Sequence, residues 1–182
     1  ILASAGLSVE VLEARDRVGG RALSRAGVDL GGSWHWPGDQ RCEALARALN
    51  VSSVPQRLDG DAFAVRAGKS SSLGDAGASI APCGPGAGRW LGGYGAVAAR
   101  LAASLTVRTG SPVSAVVDGG GGDEEQDGEA AAAAVRVTVG GGAGETFSAS
   151  RIVIAVPPAV WARDVAFTPA LAARRRAHAA RT

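Results

Sequence analysis

The chain has 182 residues, 46% of them hydrophobic, which is enough to bury a core in one folded domain. Its formal net charge is only +2, so no broad charged field indicates nucleic acid or an anionic membrane as a partner. No apolar run approaches the length of about 20 residues that a membrane span needs. The chain starts at Ile1 and contains no Met, so we expect it to be truncated at its front. Its localisation and its oligomeric state are left open.

The first patterned region, residues 1–58, predicts a helix end, a strand and a second helix. Residues 1–6 resemble the last turn of a helix closed by a glycine, and residues 8–13 predict a strand. Asp39 is a good N-cap for the next helix. Four apolar residues share one face of that helix at spacings of three and four, and we expect this face to pack on a sheet. They are Cys42, Leu45, Ala46 and Leu49.

Residues 59–88 are rich in Gly, Ser and Ala and show no sustained period, so we expect a loose linker or a shortened insert there. The second patterned region, residues 89–182, starts with a short amphipathic helix that carries Val97, Leu101 and Leu105. These composition changes divide the chain into three parts.

Strands with many β-branched residues follow that helix. They are predicted at residues 113–117, 135–139 and 151–156. The Gly-rich and acidic tract 118–134 is expected to be an exposed hairpin loop. Pro157-Pro158 is expected to end the third strand, and a last helix is predicted to begin after Thr168 with Pro169 at its first position.

Glu13 lies where a dinucleotide-binding βαβ unit has its acid. In such a unit the acid ends the second strand and accepts hydrogen bonds from the ribose hydroxyls. A surface strand can also end in Glu for no such reason, so this position alone leaves the function open.

The residues around Glu13 carry a more specific pattern. They read VLEARDRVGGR at 11–21, followed by VDLGGSW at 28–34. This pair of motifs resembles the signature of the flavin amine oxidases, which include monoamine, polyamine and L-amino-acid oxidases. Gly19-Gly20 lets the backbone approach a cofactor, Arg21 offers a fork of donors for phosphate, and Gly31-Gly32 removes side chains where a flat ring must lie.

The C-terminal half resembles the same family. It has RWLGGY at 89–94 before a helix, PV at 112–113 opening a strand, and IVIAVPP at 152–158. The resemblance implies an α/β fold, an FAD/NAD(P)-binding Rossmann-like fold with an added β-meander, incomplete in this chain. Residues 1–58 would be the first FAD-binding segment, without its first strand and GxGxxG turn, residues 59–88 a loose linker in place of most of the substrate subdomain, and residues 89–182 the second FAD-binding segment.

The resemblance also assigns the FAD contacts. Glu13 would hold the adenosine ribose, Arg15 and Arg21 the ribityl and pyrophosphate region, residues 31–34 the edge of the isoalloxazine, and the main chain of Val113 the adenine. The implied cofactor-binding residues are Glu13, Ala14, Arg15, Gly20, Arg21, Gly31, Gly32, Ser33, Trp34 and Val113. Arg17 lies in the same string, but we expect its side chain to face solvent.

Several other residues are weighed and given no site. His35 lies near the implied flavin edge, yet an ordinary packed histidine is the favoured interpretation, and Trp34 is the better pocket wall. Cys42 and Cys83 have neither a metal-ligand spacing nor a disulfide framework, and no metal is predicted. The basic cluster 174–176 is interpreted as a solvated helix face.

By this resemblance the parent enzyme oxidises a small-molecule amine to an imine and passes the electrons through FAD to oxygen, releasing hydrogen peroxide. We assign no catalytic residue, because the flavin-proximal lysine of many members would lie beyond Thr182. Lys69, in the loose region, is not nominated. The alternatives are a related flavoprotein, such as a phytoene desaturase or protoporphyrinogen oxidase, and a noncatalytic degenerate copy.

Overall fold

The computed structural model describes residues 1–56, 60–74, 86–119, 135–141, 144–179 and 181. These residues form two compact units. The first unit consists of Ile1–Val9 and Arg17–Thr106, and the second consists of Glu10–Asp16 and Val107–Thr182. The predicted boundaries at residues 58 and 88 stay a prediction.

The first unit begins as predicted. Ala3–Ala5 form one turn of 3-10 helix, and Gly6 closes it with a φ of 83°. A short hairpin follows, in which β2 (Ser24–Arg25) pairs antiparallel with β3 (Val28–Asp29). Ala26 and Gly27 both have positive φ, at 48° and 77°, which is the conformation that two-residue hairpin turns favour.

Helix α1 (Gln40–Ala48) is capped by Asp39, as predicted, because its Oδ1 accepts a hydrogen bond from the main-chain nitrogen of Cys42 at 3.2 Å. Its apolar face contacts Trp90 and Val97 in the core of the first unit. Leu45 departs from that face and is exposed.

The other elements of this core are short. Trp90 belongs to strand β7 (Gly88–Trp90), which pairs antiparallel with β4 (Ser53–Pro55). Val97 belongs to helix α2 (Gly93–Ala102). The predicted face of α1 therefore packs on a helix as well as on a strand.

The middle of the chain is more regular than predicted. Strands β5 (Ala62–Arg66) and β6 (Lys69–Gly74) form an antiparallel hairpin, turned at Ala67 and Gly68. The prediction of a loop was wrong for residues 62–74. Strand β6 is rich in serine and therefore lacks the alternation of apolar and polar residues by which a strand is recognised in a sequence. The rest of this region, residues 57–59 and 75–85, lies outside the described residues.

In the second unit, β1 (Glu10–Leu12) pairs with β8 (Thr106–Arg108). A four-stranded sheet has the order β11-β10-β9-β12. Its consecutive antiparallel strands are β9 (Val113–Asp118), β10 (Val135–Val139) and β11 (Thr146–Ala149). They form the predicted β-meander. β12 (Ala166–Thr168) runs parallel to β9.

The core of the second unit lies on this sheet. Val116, Val135 and Val137 are buried there, and Leu12 of β1 and Val113 of β9 pack against them. The predicted hairpin loop 118–134 is not tested as a whole, because Asp118 ends β9 and residues 120–134 lie outside the described residues.

The third predicted strand was wrong. Residues 151–156 have no strand pairing among the described residues, and Val153 is 76% exposed. The main-chain nitrogen of Val139 donates to the carbonyl of Glu145 at 2.9 Å. The next strand of the sheet, β11, therefore begins at Thr146, five residues before the predicted strand, and completes the meander.

The prolines also act differently from the prediction. Pro158 begins helix α3 (Pro158–Asp164), a position that proline favours, so the pair opens a helix where the end of a strand was expected. The last helix, α4 (Ala173–Ala179), begins four residues after Pro169.

Candidate cofactor-binding site

Glu13 directly follows β1 and is held at three points in the second unit. Its main-chain nitrogen donates to the carbonyl of Arg108 at 2.9 Å, and its own carbonyl accepts from the nitrogen of Ser111 at 2.8 Å. Its carboxylate Oε1 accepts from the main-chain nitrogen of Arg15 at 2.9 Å. Within the described part of the chain, Oε2 has no hydrogen-bond partner. The second oxygen of Glu13 is therefore available to a ligand.

Val113, the fourth predicted contact of the second unit, comes two residues after Ser111. It is half-buried at the start of β9 and packs against the valine core. The contact between Glu13 and Ser111 brings the two predicted adenosine contacts into one neighbourhood. Ala14 and Arg15 are exposed beside them.

The remaining predicted residues lie in the first unit, where the β2–β3 hairpin brings the two motifs together. The nitrogen of Leu30 donates to the carbonyl of Leu23 at 2.8 Å, which extends the pairing beyond the hairpin strands. At the next position, a Cβ atom on Gly31 would lie 1.7 Å from the carbonyl oxygen of Arg21. The side chain of Arg21 is exposed. Gly20-Arg21 and Gly31-Gly32 are thus neighbours.

The two glycines of each pair have different surroundings. A Cβ on Gly19 would lie 2.9 Å from the carbonyl oxygen of Ala22 and 3.0 Å from the Cβ of Ala98, and Gly31 is likewise blocked. For Gly20 and Gly32, apart from their chain neighbours, no atom of the described residues lies within 4 Å of that position. Gly20 has a φ of 53°, which favours glycine, whereas Gly32 has no positive φ. The protein's own packing explains Gly19 and Gly31 but leaves Gly32 unexplained.

Arg17 does not face solvent, which corrects the prediction. Its side chain is half-buried, and its guanidinium donates to the carbonyls of Val18 and Gly20 at 3.3 and 3.1 Å. Because both glycines after Val18 have positive φ, the chain turns back and presents these carbonyls to Arg17. Arg17 therefore stabilises the Gly19-Gly20 turn through hydrogen bonds to the carbonyls on both sides of Gly19.

A polar contact joins the hairpin to the start of α2. Asp29 Oδ1 accepts from the hydroxyl of Ser24 at 2.5 Å and from the main-chain nitrogen of Tyr94 at 2.9 Å. Ser24 Oγ in turn accepts from the nitrogen of Gly95 at 2.9 Å. These bonds satisfy donors that a helix N-terminus leaves free, and the carboxylate suits the positive end of the helix dipole. No sequence pattern predicted a role for Ser24, Asp29 or Tyr94.

A small cavity of about 300 Å³ lies against this contact, and it is entirely in the first unit. It is lined by residues of the glycine turn, the hairpin and the start of α2. The lining residues are Arg17, Val18, Ala22, Leu23, Ser24, Gly27, Gly92, Gly95 and Ala96.

Trp34 and His35 have distinct neighbours. The carbonyl of Trp34 accepts from the hydroxyl of Tyr94 at 3.0 Å, and the guanidinium carbon of Arg89 lies 5.4 Å from the Trp34 ring centroid. The His35 ring stacks on Trp90 with centroids 4.0 Å apart, and its Nε2 lies 2.7 Å from the hydroxyl oxygen of Ser53. His35 is the packed histidine that the sequence favoured.

The environment of Tyr94 changes its acidity. Burial is the largest cause, and the nearby thiol of Cys42 adds to it, so the pKa of Tyr94 is raised above its usual value. Cys42 Sγ lies 3.9 Å from the Tyr94 hydroxyl oxygen. Cys83 lies outside the described residues.

The described residues offer neither a metal site nor a membrane-spanning helix. They contain no group of three or more His, Cys, Asp or Glu side chains placed to hold a metal ion. Nor does any helix in the described ranges have both the length and the apolar character for crossing a membrane.

Comparison of the sequence with known proteins gives one family. The family model described as flavin containing amine oxidoreductase matches residues 1–76 and 58–182. Putrescine oxidase of Kocuria rosea is 39% identical over 64 residues, which are 33% of this chain and 13% of that protein. Flavin-containing amine oxidase B of Rattus norvegicus is 47% identical over 58 residues, which are 29% of this chain and 11% of that protein.

Solved structures resemble the whole described fold. A wild-type putrescine oxidase bound to putrescine matches with a TM-score of 0.75 at 18% identity, and cyclohexylamine oxidase from Brevibacterium oxydans with 0.75 at 17%. Each match covers 98% of this chain and 59% of the other. At this identity the likeness concerns the fold, and it confirms the predicted FAD-binding type of fold. The chain spans less than two thirds of the length of these proteins.

Proposed function

Because the chain belongs to the flavin containing amine oxidoreductase family, we propose that it binds FAD and that the protein to which it belongs oxidises an amine. The observation that carries the proposal is the contrast within the second glycine pair. Gly31 is required by the carbonyl of Arg21, whereas the space beside Gly32 is empty of protein atoms in the described residues. A glycine that neither a described contact nor a positive φ requires lets a ligand approach the backbone closely, and this is the place where the family motif has the flavin.

In this proposal Glu13 and Val113 hold the adenosine part of the cofactor. The Glu13 carboxylate, already oriented through Oε1 by Arg15, accepts from the ribose hydroxyls with its second oxygen. The main chain at Val113 contacts the adenine. Glu13 is fixed by backbone hydrogen bonds to Arg108 and Ser111, and Val113 is fixed by its pairing with Val139 of β10, so little ordering of these two positions is needed on binding.

Residues of the two glycine motifs supply further contacts for the cofactor. The exposed guanidinium of Arg21 is free to donate to the pyrophosphate, for which its planar fork is well suited. Gly32 and Ser33 lie along the edge of the isoalloxazine, and Trp34 forms an aromatic wall that excludes water. Arg17 acts indirectly, by holding the carbonyl of Gly20.

When bound, FAD supplies the two-electron chemistry that converts an amine to an imine, with oxygen taking up the electrons and protons as hydrogen peroxide. The residues of this chain bind the cofactor, orient it and exclude water. We assign none of them as acid or base. The substrate class is a small-molecule amine, in keeping with the names of the putrescine and cyclohexylamine oxidases that the chain resembles.

The test is to express the protein from its complete gene, add FAD and measure flavin retention and peroxide release over a panel of primary, secondary and polyamines and amino acids. We expect a yellow protein that releases peroxide with at least one of them. A protein that retains no flavin would refute the proposal. Retained flavin without peroxide would instead support a desaturase-like or noncatalytic flavoprotein.

A further inference from the structure

Tyr94 contacts both ends of the segment that carries the second glycine pair. Its main-chain nitrogen donates to Asp29 Oδ1 at 2.9 Å, and its hydroxyl donates to the carbonyl of Trp34 at 3.0 Å. Only residues 30–33 lie between these two acceptors. One residue, 60 positions further along the chain than Trp34, therefore contacts both ends of the Gly31-Gly32 segment.

The first of these contacts is rigid. A Cβ on Gly93 would lie 2.4 Å from Ser24 Oγ and 2.5 Å from Asp29 Oδ1, and one on Gly95 would lie 2.9 Å from Ser24 Oγ. The start of α2 can approach the hairpin this closely only because both residues are glycine. The position of the Tyr94 main chain is consequently set by packing as well as by its hydrogen bond to Asp29.

The second contact adds to a main-chain pairing at the next residue, where His35 and Gly88 exchange hydrogen bonds of 2.9 and 3.0 Å, and the Tyr94 hydroxyl is the side-chain donor to the Trp34 carbonyl itself. The Trp34 carbonyl lies beyond Gly31 and Gly32, at the end of the segment that the hairpin does not pair. Fixing one residue of a flexible segment costs conformational entropy, and a segment that is already fixed binds a ligand without that cost. The hydrogen bond from the Tyr94 hydroxyl to the Trp34 carbonyl helps to order the segment before the ligand binds.

We propose that Tyr94 is a positioning residue of the cofactor site, which brackets residues 30–33 through Asp29 and Trp34 and so holds Gly32 and Ser33 ready for the flavin ring. This inference rests on the proposed function. It assigns Tyr94 no contact with the flavin and no step in the reaction. Its effect is on the affinity for FAD and on the environment of the bound flavin.

The test compares Tyr94→Phe with the unchanged protein expressed from its complete gene. Phenylalanine keeps the ring and the main-chain bond to Asp29 but cannot donate to the Trp34 carbonyl. We expect FAD to bind about tenfold more weakly, which corresponds to about 1.4 kcal/mol, and the visible spectrum of the bound flavin to shift. The melting temperature of the flavin-free protein should change by a few degrees at most.

Cys42→Ala is the matched control. The Cys42 thiol is close to the Tyr94 hydroxyl but has no hydrogen bond to Trp34 in the described residues, so its removal should leave FAD affinity unchanged. If Tyr94→Phe binds FAD as tightly as the unchanged protein, with the same spectrum, the inference is overturned while the proposed function stands. If the unchanged protein binds no FAD, it is the proposed function that fails.

Should Tyr94→Phe not fold, the other end of the bracket gives the test. Asp29→Asn retains an oxygen that can accept from the Tyr94 nitrogen, whereas Asp29→Ala does not. We expect Asp29→Asn to bind FAD within about threefold of the unchanged protein and Asp29→Ala to bind it at least about tenfold more weakly, because alanine loses the bonds to both Tyr94 and Ser24. Equal FAD affinities of the two Asp29 variants would overturn the inference that Tyr94 positions residues 30–33 through Asp29.

Discussion

The carbonyl oxygen of Arg21 occupies the space that a side chain on Gly31 would need, since a Cβ there would be 1.7 Å away. This contact joins the two halves of the motif, so the backbone of the Gly-Gly-Arg turn and that of the second glycine pair form one surface. It also separates the roles of two adjacent glycines, because the neighbouring Gly32 has no such contact with the described residues.

Alanine substitutions at these two glycines should therefore affect different properties, the stability of the fold at Gly31 and the affinity for FAD at Gly32. Gly31→Ala forces the backbone away from Arg21, and we expect a loss of stability of about 1–3 kcal/mol, typical of overpacking. Gly32→Ala should leave the melting temperature of the flavin-free protein nearly unchanged but weaken FAD binding, because its methyl group enters the space assigned to the ligand. Thermal melts and FAD titration measure the two effects. A stable Gly32→Ala protein with normal FAD affinity would contradict the assignment of that space.

Glu13 should be the residue on which adenosine binding depends most. Its carboxylate is expected to accept charge-assisted hydrogen bonds from the ribose, each worth about 1.5–3 kcal/mol. Glu13→Ala should weaken FAD binding at least about tenfold, since 1.4 kcal/mol is one decade. Flavin fluorescence on dilution measures the release.

Asp16→Ala is the control for Glu13. Asp16 is an exposed carboxylate three residues further on, and an exposed truncation of this kind changes little. If Asp16→Ala releases flavin as readily as Glu13→Ala, the assignment of the ribose acid is wrong.

Local features of the structure could be predicted from sequence, and contacts between distant residues could not. Asp39 caps α1 through Cys42, three positions away, and Gly6 closes a turn through its own φ, so each is visible in a short window. The bond between Asp29 and Tyr94 joins residues 65 positions apart and leaves no periodic signal.

The wrong strand at 151–156 has a similar cause. Its β-branched residues have a high propensity for strands, but propensity does not determine which segment of the chain pairs with a given strand of the sheet. In the structure Thr146 of β11 lies opposite Thr138 of β10, so β11 and not residues 151–156 is the neighbour of β10. The orientation of Arg17 was missed because it depends on two successive positive φ values, at Gly19 and Gly20.

The exposed segment 152–156 should promote association of the isolated chain. Ile152, Val153 and Ile154 are 37%, 76% and 42% exposed, and an apolar segment without a partner can pair with other chains. We expect purified residues 1–182 to scatter light increasingly with concentration and Val153→Lys to reduce this. Val28→Lys, at an exposed hairpin valine, is the control. An equal reduction by both substitutions would show that added charge alone is responsible.

Arg17 and Arg21 should respond differently to substitution by lysine. Arg17 bonds two carbonyls with two guanidinium nitrogens, so Arg17→Lys loses one of these bonds and we expect weaker FAD binding through a loosened Gly20. Arg21→Lys keeps a charge near the pyrophosphate and should weaken binding less than Arg21→Ala. Arg25→Ala, at the exposed end of β2, is the control for charge. Normal FAD affinity in Arg17→Ala would restore the original view of Arg17 as a surface residue.

Titration of Tyr94 gives a prediction about stability at high pH. Burial raises the pKa of Tyr94 above its ordinary value of 10.0, so the unfolded chain loses this proton at lower pH than the folded protein does. The folded state then binds more protons than the unfolded state, and the free energy of unfolding falls as the pH rises above about 10 through the raised pKa.

Tyr94 is the single tyrosine of the chain, so the ultraviolet absorbance of tyrosinate reports its titration without interference from another phenol. Tyr94→Phe should lose this part of the pH dependence, as measured by denaturant unfolding at a series of pH values, while Cys42→Ala should retain most of it because burial is the larger cause. If the unchanged protein and Tyr94→Phe lose stability in parallel above pH 10, the phenol is not linked to folding and its burial is less than the structure indicates.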